Sequence, residues 1–265
     1  MVILNLLEIR GVILDMDGVL WRDQTPFPDA APFLDFLNRQ AIPFQLATNN
    51  STKTQAEYVA KCTALGLPVA TDQITTSGLV TLEYLRANFP AGTPIYVIGS
   101  DSLASIYTSA GYVLNGEAAQ AVIVGLDIHV TYEKLKIAFR AIERGAQFIA
   151  TNTDATFPAA DGFNPGAGSL VAALERATGQ QPNVMGKPEA PIFAVATKRL
   201  GCLPSETLMI GDRLDTDIAG AQRAGLRAAL VLTGVSQRDE IGAITPDAVY
   251  ETLGALHTAW QSSLA

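Results

Sequence analysis

The sequence predicts an α/β protein built on a parallel sheet. Three observations carry this. Apolar runs of strand length alternate with amphipathic stretches of helix length. The runs are apolar at successive positions, as in strands covered on both faces, instead of alternating as half-exposed strands do. Several of them stop abruptly on carboxylates or small polar residues, at the strand ends where open α/β sheets bind ligands. The 265 residues are 48% hydrophobic and 17% charged, which is globular and enough for one or two domains.

The first strand is Ile9 to Leu14, which carries one charge and ends on Asp15-Met16-Asp17-Gly18. Asp29 to Gln40 follows as a helix, with Phe33, Phe36 and Leu37 on one face. Pro43 to Ala47 is a second strand that ends on Thr48-Asn49-Asn50-Ser51. Helix Thr54 to Leu65 is stopped by Gly66. Strand, helix, strand, helix in this order implies right-handed crossovers and parallel pairing. A second α/β pattern runs from about Leu79 to Met185: strands Ile95 to Ile98, Ala121 to Val124 and Phe148 to Thr151, with helices Ser102 to Ala110 and Thr131 to Arg144. Asn152 to Gly168, rich in Gly, Pro and Asp, reads as an irregular stretch before helix Ser169 to Thr178. The third portion returns to the first pattern. Gly186-Lys187-Pro188 precedes helix Ala190 to Leu200, and strand Thr207 to Ile210 ends on Gly211-Asp212-Arg213-Leu214-Asp215-Thr216-Asp217. Helix Ile218 to Ala224, strand Arg227 to Val231 and a last helix Glu251 to Gln261 complete the chain.

Charge and composition remove several function classes. A net charge of −8 argues against nucleic acid or an anionic membrane surface as a partner. The first apolar run, broken by Glu8 and Arg10, is too short to span a bilayer. Cys62 and Cys202 stand without a pairing motif, and the N-terminus lacks a leader pattern, so the expectation is a reducing, cytoplasmic protein. His129 and His257, the two histidines, have no nucleophile or acid beside them and read as surface residues, which excludes a Ser-His-Asp machine or a zinc site. Asp15 does not open a calcium loop, because Val19, Leu20 and Pro26 fall where that loop needs ligands or glycine. Pro165-Gly166-Ala167-Gly168 lacks the third glycine of a dinucleotide fingerprint.

Four polar stretches remain, each at a predicted strand end or helix start. Asp15 and Asp17, two apart on an extended chain, face the same way and repel unless a proton or cation intervenes. Magnesium suits them as a hard ion that takes one or two carboxylates and leaves positions for water and phosphate. Asp212 would add oxygen, with carboxylate or carbonyl open for each. Thr48 offers a hydroxyl and Asn49 a backbone N–H for phosphate oxygens. Lys187 would neutralise Asp15 and the phosphoryl group. Singly these are an acidic turn, a strand-end turn and a solvated lysine; their joint occurrence at strand ends argues for one crevice.

In these motifs (Asp15-Met-Asp-Gly, Thr48-Asn-Asn, Gly-Lys187-Pro, and Gly-Asp212-Arg-Leu-Asp-Thr-Asp217) the chain resembles phosphatases of the haloacid-dehalogenase-like superfamily, in the NagD-type and para-nitrophenyl-phosphatase-type branch. The resemblance covers essentially the full length. It implies a Rossmann-like parallel-sheet core of 1–78 and 186–265, with a mixed α/β cap of 79–185 inserted between the second and third motifs. Asp15 is then the nucleophile that forms an aspartyl phosphate, Asp17 the general acid and base, and Lys187 the charge-balancing cation. Magnesium would be held by Asp15, Asp17 and Asp212, with Asp217 supporting from behind. Thr48, Asn49, Asn50 and Lys187 would bind phosphate, and Asn152, Asp154 and Phe157 of the cap would meet the rest of a small phosphorylated metabolite. A homodimer through the cap is a further expectation. Asp17 favours hydrolysis, since related ion pumps carry Thr there and dehalogenases lack the second Asp. Phe157 stands where related vertebrate pyridoxal-phosphate phosphatases have histidine, which weakens that substrate. A phosphotransferase or phosphomutase would use the same intermediate. A non-catalytic phosphate sensor would not need nucleophile and acid together.

Overall fold

The computed structural model describes residues 4–159 and 162–264. The chain divides into two compact units: Met1–Thr48 with Gln55–Thr75 and Lys187–Ala265, and Asn49–Thr54 with Thr76–Gly186. The expected division after 78 falls inside helix Ser77–Asn88, whereas the units part just before it, between Thr75 and Thr76. The short segment 49–54 also groups with the second unit.

The first unit is a six-stranded sheet. Its order across is Ala248–Tyr250, Arg227–Val231, Thr207–Gly211, Gly11–Leu14, Phe44–Thr48, Ile74–Thr76. Gly11–Leu14 pairs in parallel with Thr207–Gly211 on one side and Phe44–Thr48 on the other. Parallel pairing continues outward to Ala248–Tyr250. Every residue of the strand Gly11–Leu14 is buried, which is why the sequence is apolar at successive positions there. The chain leaves this strand toward Phe44–Thr48 and later returns on its other side at Thr207–Gly211. The strand order therefore reverses at Gly11–Leu14, and a crevice forms at the carboxyl ends of strands at such a point. Register fixes what lines it: Leu14 lies beside both Ile210 and Leu46, so Asp15, Gly211 and Ala47 follow at the same level.

Two helices cover one face. Ala30–Arg39 buries Phe33, Leu34, Phe36 and Leu37, and Leu253–Leu264 buries Leu253, Leu256 and Trp260 into the same apolar cluster. Trp260 meets the rings of Phe36 and Phe33 with centroids 5.8 and 6.3 Å away. His257, expected at the surface, is half-buried. Its position one turn before Trp260 packs it 4.7 Å from the Phe36 ring centroid, and burial lowers its imidazole below the usual range.

The second unit is a five-stranded parallel sheet in the order Asn183–Val184, Gln147–Ala150, Ala121–Val124, Pro94–Ile98, Val113–Leu114. Helices Tyr132–Glu143 and Ala167–Thr178 pack on it through Ala138, Ile142, Val171 and Leu174. The hydroxyls of Thr76 and Ser100 cap helices Ser77–Asn88 and Asp101–Ser109 by accepting from the N–H groups of Leu79 and Leu103.

Three expectations are corrected. Asn152 to Gly168 is not irregular throughout: Thr156–Ala159 pairs antiparallel with Gly162–Pro165, and the next helix starts at Ala167. Pro158, Pro165 and Gly162 hide that hairpin from propensity. The helix expected from Ile218 begins as a π turn, Leu214–Ile218, and becomes α-helical at Ala219–Arg223. The last helix is Leu253–Leu264, not Glu251 to Gln261. Among the described residues, no helix is long and apolar enough to cross a membrane.

The cluster of Phe33, Phe36, Trp260 and His257 anchors the C-terminal helix. Trp260→Ala, which opens a fully buried cavity, should cost about 3–5 kcal/mol and lower Tm by roughly 10 °C. A thermal melt checks this, and a loss below about 1 kcal/mol would show that the helix docks by other means.

Candidate active site

The first unit brings five of the expected residues to the carboxyl ends of its central strands. Asp15 follows Gly11–Leu14 directly, and its N–H continues the ladder to the carbonyl of Ile210 at 2.9 Å. Thr48 is the last residue of Phe44–Thr48, and Asp212 follows Thr207–Gly211. Lys187 starts the chain's return to this unit and is 3% exposed. Its Nζ donates to Asp15 Oδ1 at 2.6 Å and to the carbonyl of Ala47 at 3.3 Å, and pairs with Asp217 Oδ1 at 2.7 Å. The π turn places Asp217: its extra residue per turn brings the carboxylate back over Gly211, where a Cβ would collide with it. Asp217 Oδ2 also accepts from the N–H of Arg213 at 3.2 Å.

Asp212 is held by backbone on two sides. Its Oδ2 accepts from the N–H of Val235 at 2.7 Å, and a Cβ on Gly18 or Gly234 would run into the same oxygen. Gly18 has φ +88°, so a side chain there would be strained as well as blocked. The carboxylate grouped with Asp15 and Asp212 is that of Asp217: one oxygen from each lies within 4.8 Å of the others. Asp17 turns elsewhere, its Oδ1 accepting from the indole N–H of Trp21 at 2.7 Å, with Lys61 Nζ 4.0 Å away.

The remaining expected residues lie in the second unit. Asn49 is buried; its Nδ2 donates to both oxygens of Asp154 at 3.1 and 3.2 Å. Its carbonyl accepts from Ser77 Oγ at 2.7 Å and from Asn152 Nδ2 at 2.8 Å. Asn152 and Asp154 thus serve to fix Asn49. Asn50 is exposed and turns inward on its own loop, its Oδ1 accepting from the N–H and hydroxyl of Thr52 at 2.9 and 2.7 Å. Phe157 sits on Thr156–Ala159 opposite Asn164 and is half-buried.

Against known proteins, residues 12–113 match the family model of haloacid dehalogenase-like hydrolases, and residues 184–256 match a second model of the same kind. An acid sugar phosphatase of Staphylococcus epidermidis is 39% identical over 233 residues, 88% of this chain and 90% of that one. The chain belongs to the haloacid dehalogenase-like hydrolases. Among solved structures it is similar to a 4-nitrophenylphosphatase from Thermotoga maritima, with a TM-score of 0.92 at 34% identity over 97% of this chain and 99% of that one. NagD from E. coli K-12 gives 0.85 at 32% identity, covering 92% and 96%. The hydrolase is therefore an enzyme of the NagD- and nitrophenylphosphatase-like branch.

Sequence reading of this hydrolase missed three residues around the acidic turn. Trp21 and Lys61 meet Asp17, and Tyr58 hydrogen-bonds with Thr48; burial, with Asp17 nearby, raises its phenol well above the usual range and keeps it neutral. Only spacing from the motifs, Trp21 four after Asp17 and both Tyr58 and Lys61 on the helix after Thr48, signals them in sequence.

The electrostatics follow from one ammonium among three carboxylates. Burial raises Asp15 well above the usual carboxylate range; Lys187 opposes this, and Asp217 and Asp212 add to it. Burial and the nearby Asp217 push Asp212 up to about 7, against the pull of the Val235 N–H. Burial by itself would lower Lys187, but Asp15 and Asp217 outweigh it and hold the ammonium above its usual range. Negative charge is in excess. Asp212 Oδ1 is also buried without a hydrogen-bond partner among the described residues. An all-oxygen donor set with surplus charge and an unsatisfied buried oxygen fits a hard divalent cation such as magnesium.

A carboxyl raised on folding binds more protons folded than unfolded. Without metal, stability should therefore fall as pH rises from 3.8 through about 7. Mg²⁺ should raise Tm, and more at about pH 8 than at about pH 5, where protons compete for the same oxygens. Thermal melts with and without Mg²⁺ at both pH values check this, and Asp212→Asn should remove most of the difference. Equal Mg²⁺ shifts at both pH values would exclude these carboxylates as the ligands.

Proposed function

We propose that this hydrolase is a magnesium-dependent phosphomonoesterase for small phosphorylated metabolites, sugar phosphates first among them. The observation that carries the reading is Asp15, buried at the end of the central strand and held by Lys187 at 2.6 Å beside Asp212 and Asp217. The acid sugar phosphatase relative supports the substrate class, and the nitrophenylphosphatase relatives support the reaction type.

In this reading Asp15 attacks phosphorus in line, an oxygen–phosphorus bond forms, and the ester P–O bond breaks. Asp17 delivers its proton to the departing alkoxide. It then takes a proton from the water that attacks the aspartyl phosphate, so inorganic phosphate leaves and Asp17 is again protonated. Lys187 offsets the charge of Asp15 against an incoming dianion and fixes the direction of its carboxylate. Thr48 and the N–H of Asn49 supply donors to phosphate oxygens. Asp15, Asp212 and Asp17, the last through its carbonyl, would hold magnesium, with Asp217 holding Lys187 and closing the acidic group. When bound, the ion supplies positive charge that stabilises the transferring phosphoryl group. Asp17 has its side chain half exposed and so is open to exchange protons with solvent between turnovers, which the buried Asp15 is not.

Phosphate release should be measured over sugar phosphates, nucleoside monophosphates, phosphoglycolate, glycerol phosphate and p-nitrophenyl phosphate, with Mg²⁺ and with chelator. The expected result is magnesium-dependent release, strongest among sugar phosphates. Asp15→Asn should keep the fold and reduce turnover by about 10³-fold or more. Retention of over a tenth of wild-type turnover by the folded variant would rule out attack by Asp15. Transfer of labelled phosphate between sugars without net release would make the enzyme a mutase.

A further inference from the structure

Asp17, Trp21 and Lys61 form a cluster that the chemistry above does not use in full. The loop from Asp17 closes on itself: Gly18 N–H donates to the carbonyl of Trp21 at 2.8 Å, and Leu20 N–H to that of Met16 at 2.8 Å. Trp21 then begins a small hairpin, Trp21–Arg22 against Thr25–Pro26. Arg22 Nη2 ties it to the carbonyl of Thr233 at 2.7 Å, and Thr233 Oγ1 returns to the carbonyl of Gly18 at 2.5 Å. The indole is fully buried, and its N–H meets Asp17 Oδ1 at 2.7 Å. Lys61, from helix Gln55–Ala64, stands with Nζ 4.3 Å from the indole ring centroid and 4.0 Å from the same oxygen.

An indole N–H and an ammonium can only donate. Both therefore press Oδ1 to act as the acceptor, which favours the proton of the neutral Asp17 acid on the other oxygen, Oδ2. We propose that Trp21, with Lys61 stacked on its face, is the positioning residue of Asp17: it anchors Oδ1 and leaves Oδ2 as the oxygen that gives the proton to the leaving group. The inference rests on the phosphomonoesterase reading, in which Asp17 is the acid. A cation over the ring face strengthens the polarity of the N–H edge, so Lys61 acts on Asp17 both directly and through the indole. The tethered hairpin keeps the donor in place during turnover.

The leaving group provides a test that general loosening of the site would not imitate. A sugar alkoxide needs a proton as it departs, whereas p-nitrophenolate leaves as a stable anion. For a covalent mechanism, kcat/KM reports only steps up to that departure. Trp21→Phe keeps an aromatic side chain but removes the N–H with the five-membered ring, so kcat/KM for glucose 6-phosphate, relative to p-nitrophenyl phosphate, should fall about 10-fold or more, as loss of part of a general-acid contribution would give. Lys61→Met keeps the aliphatic stem and should shift the ratio in the same direction by a smaller factor. Because Trp21 is buried, its variant is first checked by thermal melt; if it does not fold, Lys61→Met decides alone. An equal fall for both substrates in the folded variants, or no fall for the sugar phosphate, overturns the proposal. If wild-type enzyme releases phosphate from neither compound, the phosphomonoesterase reading itself fails.

Discussion

The first unit depends on one buried ammonium. Lys187 lies among Asp15, Asp217 and the carbonyl of Ala47, so three separate segments of chain meet on a single cation. Removing one partner of such a group leaves charge stranded in a poorly solvated place, at a cost of about 3–5 kcal/mol. The same ion pair that organises the strand ends thus also pulls the proposed nucleophile toward its ionised form, against burial, and aims it. Its surplus of carboxylates leaves room for a divalent ion, and this links the electrostatics of folding to those of the reaction.

Much of this was legible in the chain before folding. Parallel strands buried on both faces announce themselves by unbroken apolar runs such as Gly11–Leu14 and Ala121–Val124, and their ends carried the motifs. Short pairings were not legible. The strands Ile74–Thr76, Val113–Leu114 and Asn183–Val184 are two or three residues long and hold their place by neighbours distant in sequence. The π turn at Leu214–Ile218 escaped because no local propensity favours it; it accompanies the close seat of Asp217 on Gly211, which sequence does not display. His257 escaped because a polar label hid a ring that packs as an aromatic.

Within the site, the residues that carry charge were evident from type and spacing, and those that position them were not. Asp212 owes its orientation to two glycines and a backbone N–H, none of which has a side chain to read. Asn152 and Asp154, expected beside substrate, also fix Asn49. A motif residue can therefore be essential to a site by holding another residue, and sequence alone does not separate the two.

The grouping of 49–54 with the second unit has a consequence for exchanging that unit between relatives. Ser51 Oγ shares a hydrogen bond with Thr151 Oγ1 at 3.1 Å, Ser100 Oγ donates to the carbonyl of Thr52 at 3.1 Å, and Ser77 and Asn152 both grip Asn49. A chimera spliced only at 75/76 and 186/187 would give a foreign second unit a strap shaped for another, with its carbonyls and hydroxyls mismatched. Transplanting the short strap together with the long insertion, two pieces cut from one gene and rejoined at four seams, would keep those bonds within a single donor.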